Sequence, residues 1–170
     1  SSGAQIAAVG WLGTVLTSTD GVTWTLRTSG TTETLYGVVW SGTQFVAVGW
    51  LGTILTSSDG ATWTPRASGT SNALYSIAWS GTQFAAVGLN GTVLTSPDGI
   101  TWTPRTSSTS NALNNIVWSG AQYVAVGGGG AILTSSDGVT WTPQTSGTSN
   151  YLYSVAWSGS QFATVGAIGA

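Results

Sequence analysis

Tryptophan recurs at Trp40, Trp79, Trp118 and Trp157, a spacing of 39 residues that the rest of the chain follows. Residues 40–78 and 79–117 are identical at 28 of 39 positions. A period of this length marks an array of supersecondary units that bury their apolar surface against one another. The copies should therefore fold alike, and the fold must be one that repetition can build. The chain reads as a single repeat domain over 1–170: a partial repeat 1–39 lacking its first tryptophan, repeats 40–78, 79–117 and 118–156, and a partial repeat 157–170. Copies this similar have either been duplicated recently or been made alike by design.

Each unit holds four short runs rich in β-branched and aromatic residues, the composition of strands. Around the first full repeat they are 35–40 (LYGVVW), 44–48 (QFVAV), 53–57 (TILTS) and 62–66 (TWTPR), here called A to D. Short glycine-bearing connections join them, of a length that makes hairpins. Alternation puts Leu35 and Val39 on one face of strand A, with Tyr36, Val38 and Trp40 on the other. Strand B likewise sets Phe45 and Ala47 opposite Val46 and Val48. Both faces are apolar, which suits sheets stacked radially like blades better than a solenoid with one wet face. Pro65 has no N–H for a ladder and belongs on an outer edge, so D is the outermost strand. The expectation is an all-β fold, a β-propeller of four-stranded antiparallel blades. A β-solenoid or trefoil-like barrel is the alternative, although a trefoil would want threefold repetition.

A second motif accompanies the tryptophans: STDGVTW from Ser18, SSDGATW from Ser57, SPDGITW from Ser96 and SSDGVTW from Ser135. An aspartate side chain accepts from nearby backbone N–H groups, glycine supplies positive φ, and the tryptophan ring fills the space between blades. The motif resembles the Asp-box, or BNR, repeat of sialidase-like and photosystem II assembly-factor-like propellers, and the resemblance covers all four copies. The usual pattern has one residue between Asp and Gly, whereas here they are adjacent. The resemblance implies a structural role in the C-to-D turn for Asp20, Gly21 and Trp24, for Asp59, Gly60 and Trp63, for Asp98, Gly99 and Trp102, and for Asp137, Gly138 and Trp141. A carboxylate repeated once per blade is spread round a ring and not gathered at a site.

Composition narrows the function. Only 5% of the residues are charged and the formal net charge is −2, with three arginines and no lysine. That cannot supply the phosphate contacts of a nucleic-acid binder, nor a basic patch for an anionic membrane. No charged-then-apolar leader or run of 18 apolar residues marks a signal peptide or span. Cysteine and histidine are absent, which removes thiolate and imidazole chemistry and the usual metal ligands. No metal or cofactor is expected. The compartment stays open, with a secreted or surface location favoured.

The resemblance to sialidases implies three converging arginines, a tyrosine–glutamate nucleophile pair and an aspartate acid. Here Arg27, Arg66 and Arg105 share one repeat position, with Gln144 as the fourth equivalent. Outside the four motif aspartates the only carboxylate is Glu33, so no free pair exists for glycoside hydrolysis. An enzyme is not expected.

Antiparallel strands place the B-to-C turns and D-to-A loops at one end of the blades. Candidate ligand residues there are Trp11, Trp50, Arg27, Arg66, Arg105, Asn72, Asn111 and Asn150. The position after the strand-B glycine reads Trp11, Trp50, Leu89, Gly128 and Ala167 through the copies, variation that marks a place the fold does not dictate. Exposed tryptophan beside Arg and Asn makes a platform for sugars, so a multivalent, lectin-like glycan-binding module is the first expectation. A structural or protein-interaction scaffold, natural or engineered, is the alternative. The chain begins with strands B, C and D and ends with A and B. A hybrid closing blade is therefore expected, within one chain or between the chains of a homodimer.

Overall fold

A computed structural model of the chain describes residues 5–167; residues 1–4 and 168–170 of the two partial repeats lie outside it. The described residues hold seventeen strands. Strands β1 (Ile6–Val9), β2 (Val15–Ser18) and β3 (Thr25–Arg27) form a three-stranded sheet. Four-stranded sheets follow: β4 (Leu35–Trp40) to β7 (Thr64–Arg66), β8 (Leu74–Trp79) to β11 (Thr103–Arg105), and β12 (Leu113–Trp118) to β15 (Thr142–Gln144). The series ends in the pair β16 (Leu152–Trp157) and β17 (Phe162–Gly166). Every pairing is antiparallel between chain neighbours, so each sheet is an up-and-down meander. Within a full sheet the middle strands are β5 (Phe45–Gly49) and β6 (Ile54–Ser57), β9 (Phe84–Gly88) and β10 (Val93–Ser96), and β13 (Tyr123–Gly127) and β14 (Ile132–Ser135).

The sheets bury both faces against their neighbours, as the apolar alternation requires. Val46, Val48 and Ile54 of one sheet meet Leu74, Ile77, Phe84, Leu94 and Trp102 of the next. Val15 of the first sheet meets Leu35, Phe45, Ala47, Leu55 and Trp63 of the second. Strand B alternates as expected, whereas strand A departs from simple alternation. A bulge between Leu35 and Gly37 shifts the register, so Leu35 joins Val38 and Trp40 in one cluster while Val39 lies in the other. One extra residue in a strand flips every side chain beyond it.

The expected hybrid closing blade is not formed within the described chain. Strand β1 already covers the edge of β2, from Ile6↔Ser18 to Val9↔Val15, and β16–β17 stands as a separate sheet. An edge that holds one B strand has no room for a second.

Candidate functional site

The two ends of the blades are built differently. At one end lie the A-to-B and C-to-D turns, tied across blades by polar contacts such as Gln44 Nε2 donating to the Asp98 carbonyl at 2.7 Å. In the C-to-D turn the carboxylate Oδ1 of Asp59 accepts from the N–H groups of Ala61 and Thr62, both at 2.8 Å. The Ser57 hydroxyl donates to the same oxygen at 3.0 Å. These hydrogen bonds, that from Thr62 first, hold the Asp59 carboxyl down at about 2 because they favour its charged form. Asp20 is lowered to about 2 in the same way, the Thr23 N–H first, and Asp98 and Asp137 are lowered by the same pattern, led by Thr101 and Thr140. Gly60 takes φ +67°, the left-handed conformation that glycine adopts without strain. Its carbonyl accepts from Trp63 Nε1 at 3.0 Å; Trp102 and Trp141 repeat the bond to Gly99 and Gly138. All four aspartates are thus occupied by backbone, and the turns at Asp59, Asp98 and Asp137 each anchor a buried indole.

The other end carries the candidate ligand residues. Its B-to-C connections are single 3-10 turns: Trp11–Gly13, Trp50–Gly52, Leu89–Gly91 and Gly128–Gly130. The last glycine of each fits closely under the D-to-A loop. A Cβ on Gly52 would stand 2.1 Å from the Thr70 carbonyl oxygen, and Gly13, Gly91 and Gly130 meet Thr31, Thr109 and Thr148 in the same way. The middle residue has positive φ in every copy: Leu12 at 52°, Leu51 at 52°, Asn90 at 55° and Gly129 at 62°. Asparagine and glycine suit that conformation, whereas leucine is strained there. Asn90-Gly91-Thr92 is accordingly a turn sequence, with Thr92 Oγ1 closing it onto the Leu89 carbonyl.

Trp11 is 80% exposed and Trp50 42%. Beside them Leu12 and Leu51 are exposed as well, the latter at 55%. Two adjacent blades therefore present a Trp–Leu pair at the tip of a turn whose backbone would sit more easily with Asn or Gly. The variation after the strand-B glycine has a packing component too. At Gly128 the space for a Cβ is bounded by the Tyr151 ring at 3.1 Å; where Trp50 stands, the residue equivalent to Tyr151 is the small Ala73. The turn holding Trp50 packs on β8 of the next blade, so one side fills what the other leaves.

The remaining candidates are more constrained. Arg27, Arg66 and Arg105 are half-buried, and each Nε donates to a threonine one strand inward, Thr17, Thr56 and Thr95, at 2.8–2.9 Å. They stand in a row, one per blade, each in a shallow groove under the D-to-A loop; the groove around Arg105 has a volume of about 470 Å³. Asn72 Nδ2 donates to Thr92 Oγ1 at 2.8 Å, which ties the half-buried side chain to the B-to-C turn of the next blade. The Asn111 amide lies over Gly129, and the Asn150 N–H is held by Thr148 Oγ1.

Sequence reasoning did not single out the innermost strands. Tyr36 and Tyr75 meet edge to face at 5.4 Å, and Tyr151 stacks on Tyr153 at 6.4 Å. Asn115 bridges three blades, donating to Ser76 Oγ at 3.1 Å and accepting from the Val155 N–H at 3.0 Å. The available signal was divergence among near-identical copies: Tyr36, Tyr75, Asn114 and Tyr153 share one repeat position, and Gly37, Ser76, Asn115 and Ser154 the next. Apart from Trp24, every exposed Trp or Tyr among the described residues, namely Trp11, Tyr36, Trp50, Tyr151 and Tyr153, lies at this end.

No protein-family model matches the chain, and no curated protein matches it in sequence. Solved structures do match in shape. YCF48 from Cyanidioschyzon merolae superposes with a TM-score of 0.71 at 21% identity, over 95% of this chain and 60% of that one. A structure of YCF48 bound to D1 peptide gives 0.70 at 22% identity, over 90% of this chain and 53% of that one. The chain thus spans little more than half of those proteins, and the likeness at this level of identity concerns the fold. Meandering antiparallel sheets, buried on both faces and superposable on YCF48, make this chain a β-propeller.

Proposed function

We propose that the chain is a non-enzymatic β-propeller module that binds a protein partner through its Trp–Leu turns. The observation that carries the proposal is the pair of exposed Trp–Leu tips at Trp11–Leu12 and Trp50–Leu51, with both leucines in the left-handed region. Strain of this kind persists where something other than stability selects the residue. Leucine offers a sugar hydroxyl nothing, whereas Trp and Leu knobs beside the arginine row, Leu12 sharing a groove with Arg27 and Leu51 one with Arg66, resemble the aromatic and arginine anchors that dominate protein interfaces. That a YCF48 structure of the same fold holds a D1 peptide supports the protein reading over the glycan one. Commitment of the acids supports the non-enzymatic reading: four carboxylates are bound to backbone N–H groups, which leaves Glu33.

The test is selection from a displayed random-peptide library on the immobilised chain, with a glycan array probed in parallel. Enriched peptides that bind at least tenfold more weakly to Trp50→Ala are expected. Glycan signals lost in Trp50→Ala, with no peptide enriched, would restore the lectin reading and overturn this one.

A further inference from the structure

The D-to-A loops are near-copies of one another, and one of them departs from the rest by adding a reactive group. Their tips are Gly30, Gly69, Ser108 and Gly147, with φ of 77°, 74°, 61° and 75°. Glycine holds this conformation without strain, whereas a residue with a Cβ does so at a cost. Ser108 alone carries a side chain here, and it is exposed. In copies this alike, a strained residue that introduces a hydroxyl points to a use for that hydroxyl. The hydroxyls beside it are engaged. Ser107 is buried; its Oγ donates to the Thr109 carbonyl at 3.1 Å and accepts from the Thr109 N–H at 3.4 Å. Thr109 Oγ1 accepts from the Asn111 N–H at 3.1 Å.

The surroundings of Ser108 are distinctive as well. An arginine stands three residues before the tip in three of the four copies, but Arg27 and Arg66 precede glycine and only Arg105 precedes a hydroxyl. Arg105 ends β11, the outer edge strand of its sheet. The segment from Arg105 to Ser108 therefore runs from an unpaired edge into an exposed loop, where a second protein can grip it in extended form. Ser108 stands on the wall between two grooves of about 470 Å³ each, one lined by Arg105 and the other by Gln144. Arg105 Nε donates to Thr95 Oγ1 at 2.8 Å, which leaves the two terminal amino groups of the guanidinium for an anion.

We infer that Ser108 is a phosphorylation site for a protein kinase that selects arginine three residues before serine, and that Arg105 holds the phosphate once it is attached. The Ser108 Oγ–P bond forms as the bond between the γ-phosphorus and the bridging oxygen of a nucleoside triphosphate breaks. The nucleoside diphosphate leaves, and the hydroxyl proton passes to the base of the kinase. The product carries a charge of about −1.5 to −2 at pH 7 in the groove that Arg105 lines, where charge-assisted hydrogen bonds to the guanidinium are the strong kind. Phosphorylation thereby converts one member of the arginine row from a free cation into half of an ion pair.

The test incubates the folded chain with magnesium–ATP and the catalytic domain of an arginine-directed serine/threonine kinase, and maps the product by peptide mass spectrometry. One phosphoryl group on Ser108 is expected. Ser108→Gly, which restores the residue of the other three loops, should take up none, and Arg105→Gln, which copies Gln144 of the next blade, should react at least tenfold more slowly. Phosphorus NMR then follows the titration of the phosphate, whose second pKa is ordinarily about 6. It should lie lower in the parent than in Arg105→Gln driven to completion with excess kinase. Equal titration in the two overturns the pairing with Arg105 and leaves the acceptor site standing. No incorporation at Ser108, or a rate unchanged in Arg105→Gln, overturns the site. None of these measurements involves the Trp–Leu turns, so they decide this inference separately from partner binding.

Discussion

Removing the ring of Trp63 tests whether the aspartate turn works as an anchor. The indole is 7% exposed and packs against Val15 of the preceding blade and Leu35, Phe45 and Leu55 of its own. Its Nε1 donates to the Gly60 carbonyl at 3.0 Å. Truncating a buried tryptophan to alanine costs about 3–5 kcal/mol through lost transfer energy and the cavity left behind, and the hydrogen bond adds roughly 1 kcal/mol. For a chain of this size each kcal/mol lowers Tm by about 2–4 °C, so Trp63→Ala should melt about 10–20 °C below the parent. Circular dichroism on heating, with a urea titration alongside, measures it. Val139→Ala, an exposed change in an equivalent turn, should shift stability by less than about 0.5 kcal/mol. If Trp63→Ala melted within about 3 °C of the parent, the indole would not be the anchor and the account of inter-blade packing would fail.

Other consequences follow from the turns and the inner strands. Gly52→Ala combines positive φ with a 2.1 Å approach to the Thr70 carbonyl and should cost about 2–5 kcal/mol, whereas Gly69→Ala, with φ +74° and open space around it, should cost only about 1–2 kcal/mol; urea midpoints separate the two. The aspartates have folded pKa values below the unfolded one, so their contribution is complete above the unfolded carboxyl pKa and is lost as pH falls towards about 2. Tm should therefore drop between pH 4 and pH 2, and less steeply in Asp59→Asn. Asn115→Ala breaks the bridge between Ser76 and Val155 and should cost about 1–3 kcal/mol, seen as faster amide exchange at Val155.

The fold was legible in the sequence because the repeat supplied the same evidence several times. Strand edges were less so, for physical reasons. Strand D was expected from Thr62 but begins at Thr64, since the Thr62 N–H is taken by Asp59 and the Trp63 indole by Gly60. The face assignment of strand A failed at a bulge that exists only once β4 pairs with β5, so no pattern within strand A reveals it. Among the candidate site residues, Trp11 and Trp50 stand out in the sequence through their divergence from the other copies, and the structure exposes both. Asn72 donates to Thr92, twenty residues on at the end of the next B-to-C turn, a pairing that no local pattern around Asn72 reveals. Asn115 was missed because its partners come from two other repeats.

The claim that the Trp–Leu turns serve a partner at the expense of stability is tested most directly by Leu51→Asn. Asn90 already occupies this position in the next blade with nearly the same φ, so the substitution relieves strain and should raise stability by about 1 kcal/mol. Binding of peptides selected on the parent chain, measured by titration calorimetry beside the melt, should weaken at least tenfold. A variant that is more stable and binds those peptides as well as the parent would contradict the account.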